Sequence, residues 1–395
     1  MAGAACACAA WSCGAPSASP PPRAPASIAP PATLPLPPSP AGSAAAQSGA
    51  AASSSANVAA QPVPGAPLGP LPAPKPTTIA LTEGGDAPVD QALLAGDVAF
   101  EASDLAAAET HYAAAHTAAK DRAGPLVGLA RVRVAKLGIS MDYAGAKGNK
   151  EVLAAVAENR AAIKLDPQFG PAYVELGRAL LLLGDADAAL DSLRKGAQLC
   201  GNEPEAHSAL GVALLATGHG DDAVVELSKA AELDPGSAAR HGNYGTALFM
   251  RGRVKEAVAQ YEAQARLADG DARAHSDLGT ALLAQNELQR AERELERAVQ
   301  IDPRRATFRS NLGYALQMLG KMDDAVAQYR EALKLDERLV SAWINLATVL
   351  AKSPKTRAEA RAALERAKKI DPSDPRVKAN LEELDDLEKG AAKTP

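Results

Sequence analysis

The sequence predicts an all-α solenoid of stacked helical hairpins, and three observations carry the prediction. A pattern of 34 residues recurs through residues 89–374. Within each copy, small and apolar residues return at spacings of three, four and seven, which is the period of a helix and not of a strand. The composition agrees: 47% of the 395 residues are hydrophobic but only 3% are aromatic, and much of the apolar fraction is alanine. Alanine is the strongest helix former, and the β-branched and aromatic residues that fill strands are scarce.

Residues 1–85 read as a disordered Ala/Pro/Ser-rich leader or tether. They hold 18 of the 29 prolines and three charged side chains, Arg23, Lys75 and Glu83. A segment without apolar periodicity has nothing to offset its ordering entropy. It is expected to be extended where prolines cluster, at Pro20–Pro22 and across 35–40. The opening MAGAACACAAWSC lacks the basic start and longer apolar run of a secretory signal. Cys13 nevertheless follows small residues and precedes Gly-Ala-Pro-Ser-Ala-Ser-Pro. That resembles the start of a mature bacterial lipoprotein, lipidated on the cysteine and followed by a flexible tether. The signal would be complete only with a start upstream. Two locations therefore stay open: cytoplasmic, or periplasmic and attached to the envelope through Cys13.

The repeats follow. Five gapless copies span 170–203, 204–237, 238–271, 272–305 and 306–339. Position 8 of each is Gly177, Gly211, Gly245, Gly279 or Gly313; position 11 is always Leu; position 20 is always Ala; position 24 is Leu193, Leu227, Tyr261, Leu295 or Tyr329. Positions 4, 7, 8 and 11 share one face of a first helix, and positions 20, 24 and 27 share one face of a second. Small residues at 8 and 20 let the two helices approach. Gly184, Gly218, Gly252 and Gly320 at position 15 supply the left-handed residue that stops the first helix, and Asn286 takes that place once. Asp-Pro pairs at 166–167, 234–235 and 302–303 end the second helix, because the residue before proline is steered out of the helical region.

The pattern extends both ways. Residues 89–122 are a divergent first copy with Gly96, Ala108, Tyr112 and Ala115. Residues 123–169 are a second, 13 residues over the period, with the excess near 138–150 between its two helices. Residues 340–374 are an eighth copy, one residue longer in the turn around Ser353-Pro354. Residues 375–389 form a capping helix with Val377, Leu381, Leu384 and Leu387 on a narrow apolar stripe.

This pattern resembles the tetratricopeptide repeat family, whose signature tryptophan near the repeat start survives only as Trp343. Tyr173, His207, His241, His275 and Arg309 hold that place elsewhere. The resemblance implies a right-handed superhelical array whose first helices line a concave groove, and a role in binding proteins. Positions 2, 5, 6, 9, 12 and 13 are expected to face the groove.

Position 6 carries the most information. Asn243, Asp277, Asn311 and Asn345 form a ladder over four consecutive repeats, similar to the asparagine ladder in the repeats of the O-linked N-acetylglucosamine transferase. An asparagine amide both donates and accepts, so it can hold a peptide backbone at two points. Packed helices lie ~8–10 Å apart and an extended chain rises ~3.3 Å per residue, so one rung would meet roughly every third residue of an extended partner. Around the ladder, Thr246, Thr280, Tyr314 and Thr348 hold position 9, while Phe249, Met250 and Met318 offer adaptable apolar contacts. Arg273 adds a charge, and charges in the groove positions nearly cancel. A chaperone-binding branch of the family clamps a terminal carboxylate with Lys at position 5 and Asn at position 9; neither residue stands there in these copies.

Other functions find less support. The formal net charge is −5, from 42 Lys and Arg against 47 Asp and Glu, so there is no cationic excess with which to neutralise nucleic-acid phosphates. No window approaches the ~18–20 apolar residues of a membrane span. Four cysteines in this length make no disulfide framework, and Cys6, Cys8 and Cys13 have no His or acidic partner with which to build a metal site. His207, His241 and His275 recur at 34 residues, but helices at that distance do not bring two imidazoles to one ion at ~2.1 Å, so they are expected to pack. No phosphate loop, nucleophile elbow or metal-binding helix appears. The expectation is a non-catalytic scaffold without cofactor or metal, binding an extended polypeptide in its groove. Two alternatives are a lipid-anchored envelope assembly factor for a pilus or outer-membrane complex, and a regulatory subunit of a separate transferase or kinase.

Overall fold

A computed structural model describes residues 78–82, 87–139 and 144–391, with side chains to 389. Among these there are seventeen α-helices and no strand. They pair as α1 (Pro88–Glu101) with α2 (Leu105–Ala118), α3 (Ala123–Ala135) with α4 (Lys150–Leu165), α5 (Gly170–Leu183) with α6 (Ala186–Cys200), and α7 (Pro204–Ala216) with α8 (Gly220–Leu233). Next come α9 (Ala238–Met250) with α10 (Val254–Leu267), α11 (Ala272–Ala284) with α12 (Leu288–Ile301), α13 (Ala306–Met318) with α14 (Met322–Leu335), and α15 (Val340–Leu350) with α16 (Arg357–Ile370). A final helix, α17 (Pro375–Ala391), lies on α15 and α16. Cys13 and the leader before residue 78 lie outside the described residues.

Each helix packs on its neighbours in sequence, and the odd-numbered helices also touch one another in series from α1 to α17. This makes an all-α solenoid with the first helix of each pair on the inner side.

Position 8 shows why the hairpins close. A Cβ on Gly177, Gly211 or Gly279 would lie 2.5–2.6 Å from the Leu at position 24 of the same repeat, and one on Gly96 would lie 2.4 Å from Tyr112. The glycine is the slot into which the second helix inserts its position 24 side chain. Position 20 is the matching small residue, with Ala189, Ala223, Ala257, Ala291 and Ala325 fully buried.

Gly184, Gly218, Gly252, Gly320 and Asn286 all have positive φ, between 62° and 84°. Ser103 takes the same turn in the first repeat at φ 62°, a conformation its residue type does not announce. Residues 144 and 146, in the insertion of the second repeat, are tied to the third. Backbone N–H groups of Ala144 and Ala146 donate to the Leu181 and Leu182 carbonyls at 2.8 and 2.9 Å. Those are carbonyls in the last turn of α5, where the helix ladder runs out; the Leu181 carbonyl also accepts from the Gly184 N–H at 3.0 Å.

The expectation for the leader needs one correction. Residues 78–82 do not trail freely. Ile79 is 5% exposed and Leu81 fully buried, while Ala80 between them is exposed. That alternation is what an extended segment shows when one side is packed.

Candidate peptide-binding groove

The inner wall has two unlike halves. The N-terminal half is a chain of buried charges. Asp97 of α1 takes hydrogen bonds from Tyr112 Oη at 2.7 Å, from Arg131 Nη1 at 3.3 Å and from the Leu81 backbone N–H at 3.0 Å. Arg131 of α3 also donates through Nε to Glu175 Oε1 at 3.1 Å and through Nη2 to the Ile79 carbonyl at 3.2 Å. The Arg131 guanidinium stacks 5.7 Å from the centre of the Phe100 ring. Glu175 also accepts from Arg178 at 3.1 Å, Arg178 pairs with Glu205, Glu205 accepts from Arg240 at 2.8 Å, and Arg240 reaches Asp234 at 3.0 Å. Signs alternate along the whole run, and every side chain in it is at most 10% exposed. Buried charge is tolerated only when paired in this way. Burial opposes the charge on Glu175, but Arg178 and Arg131 outweigh it and hold the carboxyl below its ordinary range. Burial likewise drives the Tyr112 hydroxyl well above its ordinary value.

The extended segment 78–82 lies on this wall. Besides the two backbone contacts, Thr78 Oγ1 donates to Glu101 Oε1 at 2.9 Å. Leu81 joins the buried cluster of Leu93, Tyr112, Ala123 and Val127.

The C-terminal half carries the predicted ladder. Asn243, Asp277, Asn311 and Asn345 stand on α9, α11, α13 and α15, each half-buried. Asn311 Nδ2 lies 3.4 Å from Ser276 Oγ and 3.5 Å from Thr280 Oγ1, so this rung links two repeats. The position 9 threonines turn inward: Thr246 donates to the Gly242 carbonyl at 2.9 Å and Thr280 to the Ser276 carbonyl at 2.8 Å. Thr246 Oγ1 also accepts from Tyr261 at 3.1 Å. Tyr314 and Phe249 are half-buried, whereas Met250 and Met318 are 52% and 39% exposed. Arg273 Nε sits 3.6 Å from Asp277 Oδ2. Burial raises the Asp277 carboxyl to about 6, against the opposing pull of Arg273.

Three expectations are revised. Position 5 does not face the groove: Val174, Ser208, Ser276, Ser310 and Ile344 are at most 7% exposed, and this position meets position 27 of the same repeat, where a Cβ on Gly196 would lie 2.7 Å from Val174 and one on Gly242 2.7 Å from Gln264. Thr348 is not open either, since Asn380 of α17 brings its Oδ1 to 3.1 Å from Thr348 Oγ1. The position 4 side chains do more than pack. Tyr173, His207, His241, His275, Arg309 and Trp343 each place a polar atom at 2.7–3.2 Å from the carbonyl six residues earlier. In the three histidines the other ring nitrogen meets Glu226, Gln260 or Glu294 at 2.7–2.8 Å. Both nitrogens are thus engaged. Among the described residues, no group of three His, Cys, Asp or Glu side chains is arranged to hold a metal, and no helix is long and apolar enough to cross a membrane.

The charge chain and Asn380 were missed in the sequence. Arg131 and Glu175 are positions 9 and 6 of consecutive repeats, but the 13-residue insertion hides their register. Asn380 is position 6 counted from Pro375, one period on from the last repeat, so the ladder continues into the cap.

Three family models described as tetratricopeptide repeat match the chain, one at 276–338 and again at 311–375, another at 214–279 and a third at 170–195. The chain is a tetratricopeptide repeat protein. Proteins of this family are generally non-catalytic scaffolds that bind protein or peptide partners. Among solved structures, this tetratricopeptide protein is similar to a chain of the Cut9–Hcn1 hetero-tetramer of APC/C. Identity is 15% and the TM-score 0.55, over 75% of this chain and 55% of that one. The protein therefore spans just over half the length of that relative, and the likeness is one of fold. Two others are YrrB, described as a TPR protein with an unusual peptide-binding site (21% identity, TM-score 0.40, 49% of this chain and 99% of that one), and pilF of Pseudomonas aeruginosa (21%, 0.47, 55% and 98%). The comparison with curated proteins gives no match.

Proposed function

We propose that this tetratricopeptide protein is a non-catalytic scaffold that binds an extended polypeptide segment along the inner wall from α9 to α15. Asn243, Asp277, Asn311 and Asn345 contact the partner backbone, Tyr314, Phe249, Met250 and Met318 contact its side chains, and Arg273 with Asp277 sets the local charge. The single observation that supports this reading is that the same wall, at repeats one and two, already holds an extended segment by its backbone N–H and C=O. Met250 and Met318 are exposed along this stretch of first helices, which agrees with apolar contacts to a partner. A paired Asn311→Ala and Asn345→Ala variant tests it. The partner is first captured on the intact chain and identified by mass spectrometry. Titration of that partner should then show at least ~10-fold weaker binding to the variant, the loss of two hydrogen bonds of about 1 kcal/mol each. Full affinity in a variant with unchanged helix content removes the ladder from the function.

A further inference from the structure

We propose that repeats one and two form a second peptide site, which the chain fills with its own residues 78–82 and from which an extended aliphatic-x-aliphatic segment of another molecule can displace them. The array supplies the receptor, and its two polar groups have partners within the array besides the segment. Asp97 is fixed by Tyr112 Oη and Arg131 Nη1, and Arg131 by Glu175 and Asp97. An acceptor and a donor are thus held in place by the wall itself, one for a backbone N–H and one for a backbone C=O. Preorganisation of this kind lowers the cost of binding.

A second feature marks the same place. Position 2 of the second repeat is Gly124, where the later repeats carry Pro171, Glu205, Ala239, Arg273, Thr307 and Ser341. A Cβ there would lie 2.6 Å from the Leu81 carbonyl oxygen. The missing side chain is the space the segment's backbone occupies.

The ligand side is correspondingly simple. Two side chains, Ile79 and Leu81, enter the wall; Ala80 points away; the Leu81 N–H and Ile79 C=O carry no side-chain information. Recognition therefore asks for an extended backbone with aliphatic residues two apart. Five residues separate Thr82 from Pro88 at the start of α1. A tether that short gives an effective concentration on the order of millimolar, so a modest intrinsic affinity keeps the site filled.

The proposal rests on the inner wall being a peptide surface. It uses residues that the Asn311 and Asn345 changes do not touch, so the two readings fail separately. The test uses the full chain carrying Ile79→Ser and Leu81→Ser, and a fluorescein-labelled peptide of sequence KPTTIALTEGG, followed by anisotropy. The variant should bind the peptide, and the unaltered chain should bind it roughly 100-fold more weakly, the ratio of a millimolar tether to a ten-micromolar site. Adding Gly124→Ala to the variant should abolish binding, as should serine at both aliphatic positions of the peptide. Hydrogen exchange over α1–α4 accompanies the titration. Retained protection without binding overturns the proposal. Lost protection also overturns it, because the segment is then a fixed part of the core and not an exchangeable ligand.

Discussion

Arg131 Nε donates to Glu175 Oε1 at 3.1 Å, joining position 9 of the second repeat to position 6 of the third. The same two positions bring Asn311 to Thr280 at 3.5 Å and Thr348 to Asn380 at 3.1 Å. The sequence separations are 44, 31 and 32 residues. They differ only by the 13-residue insertion and the one extra residue of the last repeat. One cross-repeat contact thus recurs with different chemistry, ionic at one end of the array and neutral at the other.

Removing the ionic version should cost the most. Glu175→Gln leaves Arg131 and Arg178 facing each other across a buried site. Breaking a buried pair from one side costs roughly 3–5 kcal/mol, and the lower end is expected because Asp97 and Glu205 remain. Hydrogen exchange should show the loss concentrated in α3–α7. The sign with pH follows from the lowered Glu175 carboxyl. Its contribution is complete above the unfolded value of about 4.3 and is lost as pH falls through the lower folded value. Urea melts at pH 7 and pH 3 should differ for the native chain more than for Glu175→Gln.

Asp277 behaves in the opposite sense. Its carboxyl is raised to about 6, chiefly by burial. A raised acid favours the neutral form in the fold, so its contribution is complete below about 3.9 and is lost as pH climbs through 6. Asp277→Asn should remove that slope and stabilise the array at pH 7 by about 1 kcal/mol. A full conversion of the shift overstates the gain, because a quarter of the side chain meets solvent and Arg273 stands nearby. Thermal melts between pH 4 and 8 check the prediction; an unchanged slope in the variant contradicts it.

Much of the fold was legible because its determinants are local and repeated. Gly177 with Leu193, or Gly245 with Tyr261, lie 16 residues apart in every copy, so periodicity alone exposes them. The site was less legible. Position 5 looks open on a helical wheel, yet Ser276 is buried, with Asn311 of α13 3.4 Å from its Oγ. The docking of Ile79 and Leu81 had no periodic partner at all. Their clue was an alternating Ile-Ala-Leu at the end of a proline-rich stretch, which composition averages away.

The position 4 residues give a third prediction. Trp343 Nε1 donates to the Glu337 carbonyl at 2.9 Å, and His275 Nε2 meets the Asp269 carbonyl at 3.0 Å. A side-chain donor reaching that carbonyl is the shared feature, met by a ring N–H in Trp343 and by other donors in Tyr173 and Arg309. Trp343→Phe should lose about 1 kcal/mol, the net worth of one such bond, while Trp343→His should retain the bond but lose packing area. Denaturation of both variants separates the two effects.

Gly211→Ala should destabilise the fourth repeat by about 1–3 kcal/mol, since its Cβ would fall 2.5 Å from Leu227 Cγ. Adding Leu227→Val should recover part of the loss. Equal stability of the single variant and the native chain in urea would show that the hairpin has slack it is not expected to have.

The account centres on the inner wall as the surface that holds other polypeptides. Site-specific photocrosslinking tests it most directly, with a benzoylphenylalanine at position 314 on α13 and another at position 225, an exposed site on α8. The account predicts partner adducts from position 314, absent from position 225 and reduced in the Asn311→Ala and Asn345→Ala background. Adducts formed as readily from position 225, or unchanged in that background, would contradict it.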